Sequence, residues 1–194
     1  MPIRQIVATC LIYAAATTVS YAQSDGFSCP KAGTVEQRAV STIAYNGPSP
    51  SDPTICMITN RLRKPEQRLY NLFLLSDINN NASALAPMKA GLSDILSGRK
   101  TSVTFPGMAS NGYVETDTWN FVRKEPLTVG DKTFNTLVFD REITADPHGR
   151  SAFHGHYMMW IDPAAGLWLK SELMGASGST NMYPQSYRVR TITP

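Results

Sequence analysis

Three histidines lie close together in the chain, His148 followed by His154 and His156. His154 and His156 are two residues apart, so on an extended strand both imidazoles leave the same face, about 7 Å apart along the backbone. Met158, Trp160 and Asp162 continue that face, and imidazole nitrogens beside a thioether suit a late transition metal such as copper. A closed site wants further protein ligands, and a third is not assured here. Histidines on a solvated strand face meet the same pattern with no metal, and Gly155 between them reads as a bulge or bend. His154 and His156 stand as candidate metal ligands beside that plainer reading.

Other catalytic patterns are incomplete. Gly175-Ala176-Ser177-Gly178-Ser179 approaches a nucleophile elbow, but the elbow wants Gly two residues after the Ser and a strand-to-helix turn in an α/β sheet. Ser179 stands where that Gly belongs, so the segment reads as a loop between strands. Glu115 and Asp117 share a strand face, a spacing ordinary for surface acids at an edge. Phosphate-binding glycine loops, dinucleotide fingerprints and HExxH are absent from the sequence. A metal-dependent or serine hydrolase is thus the alternative from the enzyme class; the leading expectation is a binding protein without a cofactor.

Binding signals are of two kinds. Arg61, Arg63, Lys64 and Arg68 form a dense basic patch that could meet anionic headgroups or an acidic envelope protein through a salt-sensitive attraction; interrupted by Pro65, it also reads as a solvated loop. Met158, Met159, Met174 and Met182 cluster with Tyr157, Trp160 and Trp168, and soft methionines beside aromatics line pockets for apolar guests as readily as they fill cores. Phe121, Phe134, Leu137, Phe139, Trp160, Trp168 and Leu169 are the candidates for such a lining or for the core itself.

These groups need a scaffold, and composition bounds it. The chain has 194 residues, 42% apolar and 17% charged, with a formal charge of +3, which excludes a disordered tail, a coiled coil and a dedicated nucleic-acid binder. Met1–Arg4 is a basic start, an apolar run follows, and Ser20-Tyr21-Ala22 offers small residues at the positions a signal peptidase reads. The expectation is a leader over 1–22, cut after Ala22, and a single β-rich domain over 23–194, periplasmic or secreted. Cleavage removes Cys10. Cys29 and Cys56 are then expected to pair, closing a loop of about 28 residues that the chain-entropy model values at about 3 to 4 kcal/mol.

Strand signals dominate the rest. Val35–Tyr45 and Thr54–Asn60 flank the turn-rich stretch Asn46–Pro53, and Gln67–Ser76 is apolar enough for a strand or a short helix. Leu85, Met88, Leu92, Ile95 and Leu96 form one stripe at helical spacing, with Pro87 suited to the first turn and Gly98 to the residue past the end. Six further strands are expected over 101–105, 115–127, 132–143, 151–161, 166–174 and 185–192. Short turns between them favour an antiparallel meander. The fold class is mainly β (α+β): a curved antiparallel sheet or half-barrel meander covered by one amphipathic helix.

Residues 115–174 also carry a resemblance. Thr118-Trp119-Asn120-Phe121, Glu125-Pro126-Leu127-Thr128-Val129, Lys132 to Phe139, and Trp160-Ile161-Asp162-Pro163 leading to Gly166-Leu167-Trp168-Leu169-Lys170 follow in order. This pattern resembles that of bacterial envelope proteins, and more distantly the half-barrel of the LolA and LolB lipoprotein carriers. The resemblance implies a curved sheet around helical elements, an apolar cavity and an envelope location; it carries no catalytic residue. The expected work is binding an apolar or lipid-like ligand, or another envelope component. A purely structural module with a filled interior is the third reading.

Overall fold

The computed structural model describes residues 26–79, 82–106, 114–146, 153–178 and 186–194. The leader and its cleavage site, His148 and Met182 lie outside them.

Among the described residues, twelve strands and two helices follow in the order β1 (Val35–Gln37), β2 (Thr42–Ser49), β3 (Asp52–Thr59), β4 (Pro65–Leu69), β5 (Phe73–Leu74), α1 (Leu75–Asn79), α2 (Ala82–Leu96), β6 (Ser102–Pro106), β7 (Val114–Val129), β8 (Lys132–Asp146), β9 (Phe153–Asp162), β10 (Leu167–Ser177), β11 (Tyr187–Arg188) and β12 (Thr191–Thr193). They make a mainly β fold. The strands form two six-stranded antiparallel sheets, β12-β1-β2-β3-β4-β5 and β11-β10-β9-β8-β7-β6, in place of one curved sheet. The chain passes between the sheets at its C-terminus. Val189 N–H donates to Leu169 of β10 at 2.9 Å, and Arg190 N–H donates to Gln37 of β1 at 2.8 Å.

Alternation along the strands sends apolar side chains to both faces of the second sheet. Phe139, Ile143, Tyr157, Met159 and Ile161 meet Ala84, Met88, Leu92 and Ile95 of α2. Val138 and Trp160, one position out of step, pack with Leu167, Leu169, Ile43, Tyr45 and Ile58. Strand β7 serves both clusters through a bulge: Phe121 pairs with Phe139, but Arg123 pairs with Val138. The extra residue, Val122, flips the pleat. Trp119 therefore faces the helix while Leu127 and Val129 join the other cluster.

The helix follows its stripe, and Gly98 ends it with φ 75°. Pro87 lies inside the helix, not in the first turn, because the helix begins at Ala82. Val35–Tyr45 is two strands, since the chain turns at 38–41, and the ambiguous 67–76 segment divides into β4, β5 and the start of α1. Gly155 is no bulge: β8 and β9 pair without interruption past it. A Cβ there would come within 2.6 Å of the Phe153 ring and 2.8 Å of Tyr157, so glycine makes room for its neighbours' rings.

The N-terminal arm is fixed by the Cys29–Cys56 disulfide, with Cα atoms 5.4 Å apart, and by the β9–β10 turn. Ser28 N–H donates to Pro163 at 3.0 Å, and Gly166 (φ 67°) approaches so closely that a Cβ would sit 2.0 Å from the Ser28 carbonyl oxygen. Asp162 holds the turn by accepting from the N–H groups of Ala165 and Asn135, each at 3.0 Å. The D-P-x-x-G-L pattern is thus a structural motif that seats the N-terminal arm. No helix among the described residues is long and apolar enough to cross a membrane.

Candidate functional site

Gln37 pairs with Thr42, Ala44 with Thr59, and Thr59 with Pro65. The β1–β2 turn (38–41) and the β3–β4 turn (60–64) therefore emerge at the same end of the first sheet. Between them opens a cleft of about 400 Å³, lined by Arg38, Val40, Ile43, Asn60, Arg61, Leu62, Glu66 and Arg68 among others.

Local chemistry sets both turns. The Asn60 side-chain oxygen accepts from the N–H groups of Leu62 at 2.8 Å and Lys64 at 3.1 Å, replacing a backbone turn with a side chain. Arg63 takes up a left-handed φ of 58°. Asn60 also donates from Nδ2 to Glu66. In the other turn Arg38 N–H donates to Ser41 at 2.8 Å.

The arginines are held to different degrees. Arg38 donates to buried Glu36, which also accepts from the Tyr45 hydroxyl at 2.6 Å, and its guanidinium lies 4.1 Å from the centre of the Tyr187 ring. Burial opposes its charge, but Tyr187 and Glu36 outweigh that and raise its pKa. Burial, then Glu36, pushes the Tyr45 hydroxyl far above its ordinary value, so it stays a donor. Arg68 Nη2 reaches Glu66 at 3.3 Å, while its buried Nε has no hydrogen-bond partner among the described residues. Arg61, Arg63 and Lys64 form no ion pair among those residues. A cleft with spare guanidinium donors beside Val40, Ile43 and Leu62 can clamp a carboxylate or phosphate and cover a short apolar stem.

A second ionic constellation lies sealed beneath α2. Arg141 Nε donates to Asp117 at 2.9 and 3.1 Å, its Nη2 at 2.5 Å, and the Trp119 indole N–H donates to the same carboxyl at 2.7 Å. Asp117 is fully buried and Arg141 nearly so. Burial acts against the guanidinium charge, yet the Asp117 carboxyl more than compensates and raises the Arg141 pKa. Glu115 sits on the same face; burial, then the Asp117 charge, lifts it to about 7 against the relief given by Arg141. Reading Glu115 and Asp117 as surface acids on an edge is therefore corrected. β6 covers β7, and Asp117 shares the parity of Trp119 and Phe121, the sequence signal that places it on a packed face.

The other sequence candidates are dispersed. His154 and His156 lie on the same face of the second sheet as Val138 and Trp160, at its open end beyond the packed cluster, where His156 Nε2 lies 2.7 Å from Asp140 Oδ1. No group of three or more His, Cys, Asp or Glu able to hold a metal forms among the described residues. Gly175, Ala176 and Ser177 continue β10 instead of forming a loop. Phe121, Leu137, Phe139 and Trp168 belong to or pack against the helix-side cluster, and Phe134, Trp160 and Leu169 to the other. Of the basic patch, Arg61 and Arg68 line the cleft. The sequence reading missed Arg38, Val40 and Leu62, whose signal was an apolar residue set inside each polar turn.

No family model matches the chain, and no curated protein matches it. One solved structure is similar, described as a "putative exported protein with YmcC-like fold" from Bacteroides fragilis. It has a TM-score of 0.41 and 9% identity, covering 87% of this chain and 99% of its own. The likeness to the LolA and LolB carriers has no counterpart in these comparisons, and the functional reading rests on the chain's own residues.

Proposed function

We propose that this chain is an exported protein that binds rather than catalyses, and that its cleft takes an amphiphilic small molecule with an acidic head. The observation that carries this reading is the gathering of Arg38, Arg61 and Arg68 with Val40, Ile43 and Leu62 around one opening. Its volume is at the small end of ligand sites, enough for a phosphate or carboxylate head and the first part of a chain. The disulfide fits an oxidising compartment outside the cytoplasm, as does the leader expected over 1–22.

Isothermal titration with dodecyl phosphate, below its micellar concentration, and with dodecanol tests this. The phosphate is expected to bind and the alcohol not, with Arg68→Gln weakening the phosphate at least tenfold without changing the far-UV spectrum. Equal binding of both compounds, or an unchanged affinity in Arg68→Gln, refutes the cleft as an acid-reading site.

A further inference from the structure

We infer that the two turns at this end of the first sheet dock the protein on an anionic lipid bilayer. Val40 and Leu62 enter the headgroup layer, while Arg61, Arg63 and Lys64 meet lipid phosphates. Val40 is 85% exposed and Leu62 65%. Single exposed apolar residues are ordinary; here two stand at neighbouring turns and line one cleft. Among the described residues the other exposed large apolar side chains, Val122 at 47% and Met174 at 57%, are less open and belong to strands of the other sheet.

Charge favours a bilayer as the occupant. Arg38, Arg61, Arg63, Lys64 and Arg68 set against Glu36 and Glu66 leave a surplus of three at this end, equal to the +3 of the entire chain. Arg61, Arg63 and Lys64 have no ion-pair partner among the described residues. The two turns join alternate pairs of strands, β1 to β2 and β3 to β4, so their tips lie about two strand spacings, roughly 10 Å, apart. Two narrow apolar points at that separation, ringed by cations, fit between headgroups of a fluid surface, where apolar insertion and attraction to anionic lipid add. This surface shares Val40, Leu62 and Arg61 with the cleft and extends past it, because Arg63 and Lys64 belong to it without lining the cleft.

Vesicle flotation of the exported chain tests the inference, using phosphatidylcholine alone and with 30% phosphatidylglycerol. The protein is expected to float with the mixed vesicles and not with phosphatidylcholine, and to lose at least tenfold in affinity between low and 0.5 M salt. Arg63→Gln/Lys64→Gln should lose about tenfold; Val40→Ser/Leu62→Ser, with every charge retained, should lose several-fold at the same salt. Equal flotation with both vesicle types, no flotation, or full binding by the Val40→Ser/Leu62→Ser chain overturns it. The dodecyl phosphate titration involves no vesicle, so the two readings fail separately. A chain that floats but ignores dodecyl phosphate keeps the docking surface and loses the cleft ligand. The reverse result overturns docking alone.

Discussion

Beneath α2 and at the turn end of the first sheet the protein uses the same materials, arginine beside aromatic rings, to opposite effect. Arg141 lies among Phe73, Trp119 and Trp168 with Asp117 taking its hydrogen bonds; helix and strands seal the pair from water. At the turns Arg38 is likewise stacked and paired, but Arg61, Arg63 and Lys64 are exposed and have no ion-pair partner among the described residues, and Arg68 keeps an Nε with no hydrogen-bond partner among them. The difference lies in what covers the charge. A sealed pair spends its interactions on holding strands in register, whereas open cations retain theirs for a ligand. The molecule thus separates charge that serves the fold from exposed charge that the proposed ligand and bilayer contacts would use.

The largest effect is expected from breaking the sealed pair. Arg141→Leu leaves the fully buried Asp117 with the Trp119 indole N–H and no cation, a change that costs about 3 to 5 kcal/mol. Urea unfolding at neutral pH would show it as a lower midpoint. Replacing both partners, Asp117→Leu/Arg141→Leu, should recover most of the loss, because the uncompensated buried charge is the costly element, not the missing attraction. A loss below about 1 kcal/mol in the single variant would mean that water reaches the pair, and the contrast between the two regions would fail.

How far the sequence discloses these regions depends on the range over which each feature is determined. The α2 stripe from Leu85 to Leu96, the turn at Asp162–Gly166 and most strands of the second half are local patterns, legible by periodicity and turn residues. The β1–β2 turn was not legible, because Arg38-Ala39-Val40-Ser41 contains neither Gly nor Pro and passes for strand. The bulge at Val122 and the crossing between sheets at Val189–Arg190 depend on which distant strand supplies the partner, which local propensity does not encode. The site divides in the same way. Arg61 and Arg68 could be picked from a charge run, while Arg38 and Val40 reach the cleft only because β1 and β2 pair beside β3 and β4. Phe139 and Trp160 could be recognised as apolar and inward; that they serve opposite faces of one sheet is fixed by pairing.

Glu115 sharpens the comparison at a smaller scale. Its pKa of about 7 in the fold, against an ordinary 4.5, means that as pH rises the unfolded chain releases this proton first. The folded state binds more protons between those values, so stability falls as pH climbs from about 4.5 to about 7 and is then level, at no more than about 1.4 kcal/mol per pH unit and about 3 in all. Glu115→Gln cannot lose the proton. Its urea midpoint, compared with that of the parent at pH 5 and pH 8, should gain on the parent at the higher pH. A constant difference at the two values would show that Glu115 titrates as a solvated acid, and that the sealed region ends before it.

The smallest effect belongs to the open end, and its smallness is the point of the measurement. Arg63→Gln/Lys64→Gln removes two charges from a turn whose geometry is held by backbone N–H groups bonded to the Asn60 side chain, bonds that the substitutions leave in place. Neither side chain has an ion-pair partner among the described residues, so the unfolding free energy should change by less than about 0.5 kcal/mol. Mutual repulsion among Arg61, Arg63 and Lys64 gives that small change a sign. Relieving it should raise the midpoint slightly at low salt, with the gain fading as salt screens the cluster over a Debye length of about 10 Å at 0.1 M. A clear loss of stability would mean that these cations hold the turn together, and the free charge that distinguishes this end from the Arg141 region would be charge already in use.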